Sequence, residues 1–144
     1  MKIGIIGLGA VGGTMKLGFE ELGHDVYSFD IKDGSTINDV LNTQVCYICV
    51  PTPQSESGEC DISIVNKVVS ELHDNLYKGI IAIKSTVKPE TTKILQEKYP
   101  DNKICFVPEF LRERCALTDF TENHDVCIIG TDDKEVFNLI KETH

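Results

Sequence analysis

The sequence predicts an α/β protein, one domain built on a doubly wound, mostly parallel sheet. Three observations carry that prediction. Apolar runs of strand length alternate with segments of helical period along the chain, the pattern of parallel strands joined by crossover helices. Runs such as 45–50 are almost wholly apolar, as expected of strands covered on both faces. The first run feeds directly into Gly7-x-Gly9-x-x-Gly12, and the second ends on Asp30. That order of strand, glycine turn, helix and terminal carboxylate is the Rossmann-type unit.

The elements follow in order. Lys2–Gly7 reads as the first strand and 10–22 as a helix, with Val11, Met15, Phe19 and Leu22 on one face and Gly23 as its stop. Asp25–Asp30 is the second strand; a weak helix is predicted near 36–41, after the Asp33-Gly34 turn. The third strand is 45–50, halted by Pro51-Thr52-Pro53 and followed by a polar loop over 54–59. Asp61 or Ser63 is placed to cap the next helix, whose core stripe is Ile62, Val65, Val69, Leu72 and Leu76. Strand four is 80–84. Pro89 suits the first turn of a helix reaching Tyr99, and strand five is 103–107. Residues 108–124 are the least regular. A sixth strand is predicted at 126–129 and a last helix at 131–142, with Val136, Leu139 and Ile140 inward.

Composition narrows the function classes. At 144 residues the chain has the length of one domain with a self-sufficient core. Its 14 basic and 23 acidic residues leave a net charge of −9, which argues against nucleic acid and anionic membrane as partners. Glycines interrupt the apolar start, and no apolar run reaches the roughly 20 residues of a membrane span. The chain is therefore expected to be soluble and cytoplasmic. Of the six cysteines, Cys49, Cys105 and Cys127 sit in strand-like apolar runs, and Cys46-x-x-Cys49 lies within a strand rather than at a helix start. Reduced thiols are the expected state. No metal site is expected: His24, His73, His124 and His144 have no partners at ligand spacing.

In open α/β sheets ligands bind at the carboxyl ends of the strands. There this sequence places Gly7–Gly12, Asp30, Pro51–Pro53, Ser85-Thr86-Val87 and the run Pro108–Glu113. Gly7 permits a tight turn, Gly9 lets a diphosphate approach the backbone, and Gly12 lets helix pack on strand. Helix N–H groups then face the phosphates, while Asp30 accepts from ribose hydroxyls and repels a 2′-phosphate, favouring NAD over NADP. A plain glycine turn is the alternative. Ser85 and Thr86 have a simpler reading as a helix cap, and the prolines as rigid strand exits. Glu109, directly after an apolar strand, is placed for proton transfer beside a bound nicotinamide. Its alternative is a surface network in which Glu109 or Glu113 pairs with Arg112 or Arg114.

Taken together, Gly7–Gly12, Val50-Pro51-Thr52-Pro53, Asp61-Ile62-Ser63, Lys84-Ser85-Thr86-Val87 and Pro108-Glu109-Phe110-Leu111-Arg112-Glu113 resemble the NAD-binding half of the UDP-glucose/GDP-mannose dehydrogenases. The resemblance extends, in order, over nearly the whole chain. It implies oxidation of the C6 alcohol of a nucleotide sugar to the carboxylate in two NAD-dependent steps, through a thiohemiacetal and thioester on a cysteine. Thr86 resembles the threonine that positions the catalytic water, and Glu109 the general base. Phe110, Leu111 and Arg112, with Glu109, resemble the segment holding the nucleotide sugar. The cofactor contacts so implied are Gly7, Gly9, Ala10, Val11, Gly12, Asp30, Val50, Pro51, Thr52, Thr86 and Glu113.

There are departures. Family members carry Asn before the Pro-Glu pair and Gly after the last Glu, where this chain has Val107 and Arg114. The stretch between Asp30 and the third strand is shorter than in the family. The central dimerisation helix and the C-terminal domain with its nucleophilic cysteine would follow His144. None of the six cysteines sits in the family's glycine-rich loop, Cys115 being nearest the site. Residues 1–144 are thus expected to form an NAD-binding domain that binds cofactor, does not turn over alone, and holds sugar nucleotide poorly. The oligomeric state and the particular sugar stay open. Two other readings remain: a standalone nucleotide-binding module, and a dehydrogenase of the 6-phosphogluconate or 3-hydroxyacid type.

Overall fold

The computed structural model describes residues 1–122 and 126–144, and Glu113 by its backbone alone; His124 lies outside the described residues. Five parallel strands, β1 (Lys2–Ile6), β2 (Asp25–Phe29), β3 (Val45–Ile48), β4 (Ile80–Ile83) and β5 (Lys103–Phe106), form one sheet in the order β2-β1-β3-β4-β5. The helices are α1 (Ala10–Glu21), α2 (Ser63–Asp74), α3 (Thr91–Lys98), α4 (Ala116–Thr121) and α5 (Lys134–Lys141). This is the doubly wound architecture expected. The switch point lies between β1 and β3, where the connections leave in opposite directions.

Strand periodicity divides the core into two layers. Ile3 and Ile5, Val45 and Tyr47, Ile80 and Ala82 meet Met15 and Phe19 of α1, Phe120 of α4, and Val136 and Ile140 of α5. Ile6, Cys46, Ile48, Ile81 and Ile83 meet Val65, Val69 and Leu72 of α2 and Leu95 of α3. Each of these aliphatic side chains, buried on folding, contributes about 1.5–3 kcal/mol. Helix α1 approaches most closely: a Cβ at Gly18 would stand 2.1 Å from the Phe120 ring, so α4 lies directly on α1. Phe120 meets Phe19 edge-on at 5.1 Å.

Several expectations are corrected. Among the described residues there is no sixth strand: in place of a strand at 126–129, the chain touches β5 through an antiparallel bridge between Gly130 and Phe106. Val126 and Ile128 are exposed there, so the apolar run lacks a second covering layer. The segment 108–124 instead contains a 3₁₀ turn, Glu113–Cys115, and α4, whose brevity hides it from periodicity. Leu22 and Leu76 are exposed. Leu22 falls on the C-cap of α1, just before the Gly23 stop at φ 82°. Leu76 lies beyond the end of α2 in a left-handed turn (φ 58°), and Tyr77 takes the inward position. Pro89 is outside α3, which begins at Thr91 after a left-handed Glu90 (φ 69°). The weak helix near 36–41 is one 3₁₀ turn, Ile37–Val40. Cys127 is exposed rather than strand-buried. Among the described residues no helix is long and apolar enough to cross a membrane, and no His, Cys, Asp and Glu cluster stands ready for a metal ion.

Candidate functional site

The strand exits are tied to one another pair by pair. At β1, Gly7 adopts φ 91° and donates its N–H to Phe29 O at 2.9 Å. A Cβ there would lie 2.6 Å from Cys49 O, so the exit of β3 passes directly over Gly7. At Gly12 a Cβ would lie 1.8 Å from Gly7 O. A Cβ at Gly9 would meet no atom within 4 Å apart from its own chain neighbours and the backbone of its helix. Two glycines thus let helix and strands close together, while the third opens onto free space, as a backbone awaiting a phosphate requires. Helix α1 has no side-chain cap and no acidic residue in its first turn. None of the helix's own first-turn side chains neutralises the positive end of its dipole.

Asp30 closes the β2 side. Its Oδ2 accepts from Leu8 N at 2.7 Å and Oδ1 from Lys32 N at 2.9 Å, while Ser35 Oγ accepts from Asp30 N at 3.0 Å. The carboxylate therefore holds the glycine loop. The chain runs from here to β3 through the one 3₁₀ turn, without a further strand.

Between β3 and β4 the tie is Ser85, which is buried and donates Oγ–H to Val50 O at 2.7 Å, with Ile48 O at 3.2 Å. The helix-cap reading of Ser85 and Thr86 does not hold, since α3 starts at Thr91. Thr86 is exposed, and its carbonyl accepts from Cys60 Sγ at 3.4 Å. Val50 packs against the core, Thr52 is half-buried, and Pro51 is exposed. Asp61 accepts from Ser63 N at 2.8 Å in the turn before α2, with Ile62 rather than Asp61 or Ser63 at the cap position.

Between β4 and β5 stands an ion pair. Lys84 Nζ lies 3.5 Å from Glu109 Oε2, with side chains only 7% and 15% exposed, and donates to Pro108 O at 3.3 Å. Glu109 Oε1 accepts from Phe110 N at 2.8 Å and Leu111 N at 2.7 Å. Phe110 is exposed and Leu111 packs on the core. Arg112 has a partner absent from the sequence reading: its Nη2 lies 2.6 Å from Asp119 Oδ1, and its Nε and backbone N donate to Asp119 Oδ2 at 2.9 and 3.1 Å. This bidentate bond and the Arg112 charge hold the Asp119 carboxyl well below the usual carboxylate range. Of the alternative surface network, the described residues pair Glu109 with Lys84 and Arg112 with Asp119 of α4.

All six cysteines are free. Desolvation pushes the Cys49 and Cys105 thiols up to about 12 and raises Cys46 and Cys127 as well. Thiols so shifted are poor nucleophiles. Cys115 donates its Sγ–H to Asp119 Oδ2 at 3.6 Å. The structure therefore brings Gly7, Gly9, Gly12, Asp30 and Val50 to one end of the sheet, with Ser85, Thr86 and Glu109 along the same rim. Ala10 and Val11 open α1 there. The side chain of Glu113 is outside the described residues. Sequence reasoning quoted Lys84 within a motif without giving it a role, and missed Asp119. A lysine directly after four apolar strand residues is a faint signal for the first; nothing in the spacing announces the second.

Comparison with known proteins bears on the family and the fold. Residues 34–144 match the UDP-glucose/GDP-mannose dehydrogenase family, NAD binding domain. A UDP-glucose 6-dehydrogenase of Haloferax volcanii is 26% identical, covering 99% of this chain and 44% of its own. One from Bacillus subtilis is 37% identical, over 71% of this chain and 24% of its own. The chain thus spans less than half the length of these relatives. Among solved structures, a GDP-mannose dehydrogenase of Pseudomonas aeruginosa superimposes with a TM-score of 0.87 at 24% identity, over 99% of this chain and 44% of that one. A UDP-glucose dehydrogenase from Pyrobaculum islandicum gives 0.86 at 24% identity, over 99% and 43%. At these identities the structural likeness speaks for the fold.

Proposed function

The chain belongs to the UDP-glucose/GDP-mannose dehydrogenase family, and we propose that it binds NAD across the exits of β1 and β3 as the cofactor half of a nucleotide-sugar 6-dehydrogenase. The observation that carries this reading is the glycine turn. Gly7 and Gly12 admit close packing that no side chain tolerates, while Gly9 opens onto empty space at an uncapped helix start. A turn serving the fold alone needs the first two and has no use for the third.

In this reading the amides opening α1, from Gly9 to Gly12, hold the diphosphate. Asp30 accepts from the adenosine ribose and its charge disfavours a 2′-phosphate. Val50, Pro51, Thr52 and Thr86 border the nicotinamide side, with Glu113 beyond them. The bound NAD supplies a hydride acceptor for the sugar C6 carbon. Glu109 takes up the proton released there, with Oε1 fixed by two amides and Oε2 left for the transfer. Thr86, exposed at the exit of β4, orients a water, and Phe110, Leu111 and Arg112 border the sugar nucleotide. Burial raises four of the six thiols and makes them poor nucleophiles, which supports a reading in which the required thiol is supplied from elsewhere. Free thiols throughout and the absence of a spanning helix among the described residues support a cytoplasmic setting.

Calorimetric titration of the chain with NAD, NADP and UDP-glucose tests the reading. NAD is expected to bind between micromolar and millimolar, roughly 4–8 kcal/mol, NADP more weakly, and UDP-glucose poorly. A folded chain that gives no heat with NAD would overturn it.

A further inference from the structure

Between β3 and α2 the chain doubles back on itself. Residues 53–61 form a small hairpin in which Gln54 and Cys60 make an antiparallel bridge, Asp61 N donates to Pro53 O at 2.8 Å, and Ser55 N donates to Glu59 O at 2.8 Å. Gly58 closes the tip at φ 83°; its N–H donates to Ser55 O at 2.9 Å, and its carbonyl accepts from Gln54 Nε2 at 3.2 Å. A turn of this kind depends on a residue that tolerates positive φ. All of these bonds lie within the hairpin, so its shape is set before anything else touches it.

Two side chains fasten this hairpin to the exit of β4. Glu59 Oε1 lies 3.4 Å from Lys88 Nζ, and Cys60 donates its Sγ–H to Thr86 O at 3.4 Å. The ion pair is exposed on both sides, 69% at Glu59 and 45% at Lys88, so solvent screens it and it holds little. Cys60 is half-buried, and its thiol has no other partner among the described residues. One residue before Thr86, Ser85 Oγ ties the same exit to Val50 O. The exits of β3 and β4 are therefore joined twice, by Ser85 in the interior and by Cys60 at the rim. At the second join the Thr86 carbonyl is committed to Cys60, while its hydroxyl has no partner among the described residues. Holding the carbonyl fixes the peptide plane of an exposed residue, and with it the direction in which its side chain leaves the backbone. The hairpin closes on its own bonds and does not need the thiol for its shape. We propose that Cys60 is a positioning residue for the nicotinamide end of the cofactor site: it clips the hairpin to Thr86 and so presents the Thr86 hydroxyl to the nicotinamide riboside of a bound dinucleotide. This rests on the reading of Thr86 as a nicotinamide-side residue, and goes beyond it by naming the group that holds it in place.

Parallel calorimetric titrations with NAD and with ADP-ribose, which keeps the adenosine, the diphosphate and the second ribose but lacks nicotinamide, separate positioning from general structure. In Cys60→Ala, NAD should bind about two- to fivefold more weakly, the size of one weak S–H···O bond, while ADP-ribose keeps its wild-type affinity. Cys60→Ser retains a donor on an exposed hairpin that can adjust to the shorter reach, so it should lie nearer to wild type than Cys60→Ala does. Equal losses for both ligands would make Cys60 a structural residue and overturn the assignment. So would unchanged NAD affinity in Cys60→Ala, a serine variant no better than alanine, or an alanine variant that urea denaturation shows to be unfolded. A wild-type chain that binds neither ligand is a different result: it removes the proposed cofactor role itself, and this assignment with it. Wild type that binds NAD beside an equally good Cys60→Ala sinks the clip alone.

Discussion

Replacing one glycine at a time by alanine separates what the turn does for the fold from what it does for a ligand. In Gly12→Ala the new methyl would fall 1.8 Å from Gly7 O and 3.2 Å from Cys49 Cβ, all of it close to strand exits that cannot retreat independently. Relief requires α1 to lift from β1 by more than an ångström. Overpacking of this kind costs about 1–3 kcal/mol. For a domain of this size that corresponds to a fall in Tm of roughly 3–9 °C. In Gly9→Ala the methyl meets nothing within 4 Å, and the backbone (φ −70°, ψ −161°) suits any residue. Its cost is limited to the poorer cap, up to about 1 kcal/mol, while the methyl fills the approach that a diphosphate would use. Scanning calorimetry and NAD titration of both variants give the comparison. Gly12→Ala should lose stability and affinity together; Gly9→Ala should melt within about 3 °C of wild type yet bind NAD at least about tenfold more weakly, a difference of about 1.4 kcal/mol. A Gly9→Ala chain with unchanged affinity, or a Gly12→Ala chain with unchanged Tm, would refute the reasoning.

Asp30→Ala removes the acceptor for Leu8 N and Lys32 N as well as the carboxylate proposed to hold the ribose; titrations with both cofactors should show NAD affinity falling and its margin over NADP narrowing. Ser85→Ala deletes the donor shared by Val50 O and Ile48 O, and urea denaturation should register a loss of about 1 kcal/mol, with no loss counting against a structural tie there. The Asp119 carboxyl is lowered in the folded chain by Arg112, so the stability it contributes is fully present above the ordinary carboxylate range near pH 4 and is lost as pH falls below it. Denaturation midpoints followed from neutral pH downward should therefore decline less steeply in Asp119→Asn than in wild type, and identical acid limbs would rule the clamp out as a contributor.

What the sequence made legible was local or periodic. Strands of four or five apolar residues between turns declare themselves because both of their faces are covered. The stop at Gly23 and the glycine motif depend on backbone angles and close approach that few other residues permit. The misses are tertiary. Val126–Ile129 has a strand's composition, but composition cannot say whether a neighbour supplies hydrogen bonds on the next position, and here only Gly130 is paired. Helix α4 is too short for a period to emerge, and its placement follows from Phe120 lying over Gly18, about a hundred residues away in the chain. Asp119 and Lys84 matter through partners that only folding brings to them.

The two halves of the site differ in how complete they are. On the cofactor side every described carboxylate oxygen already has a backbone donor: Leu8 N and Lys32 N occupy one position on each oxygen of Asp30. A carboxylate accepts about four hydrogen bonds, so two positions remain for a ribose diol without disturbing the loop. Binding there requires no rearrangement of the glycine turn, and the ordering cost that usually erodes affinity is small. On the other side Glu109 Oε2 is buried without a donor, facing a buried lysine. A fold selected for stability alone would have hydrogen-bonded that oxygen or replaced the pair with apolar groups. In the proposed reading the Asp30 side is ready for a ligand as it stands, whereas the Glu109 side keeps a buried oxygen with no donor among the described residues.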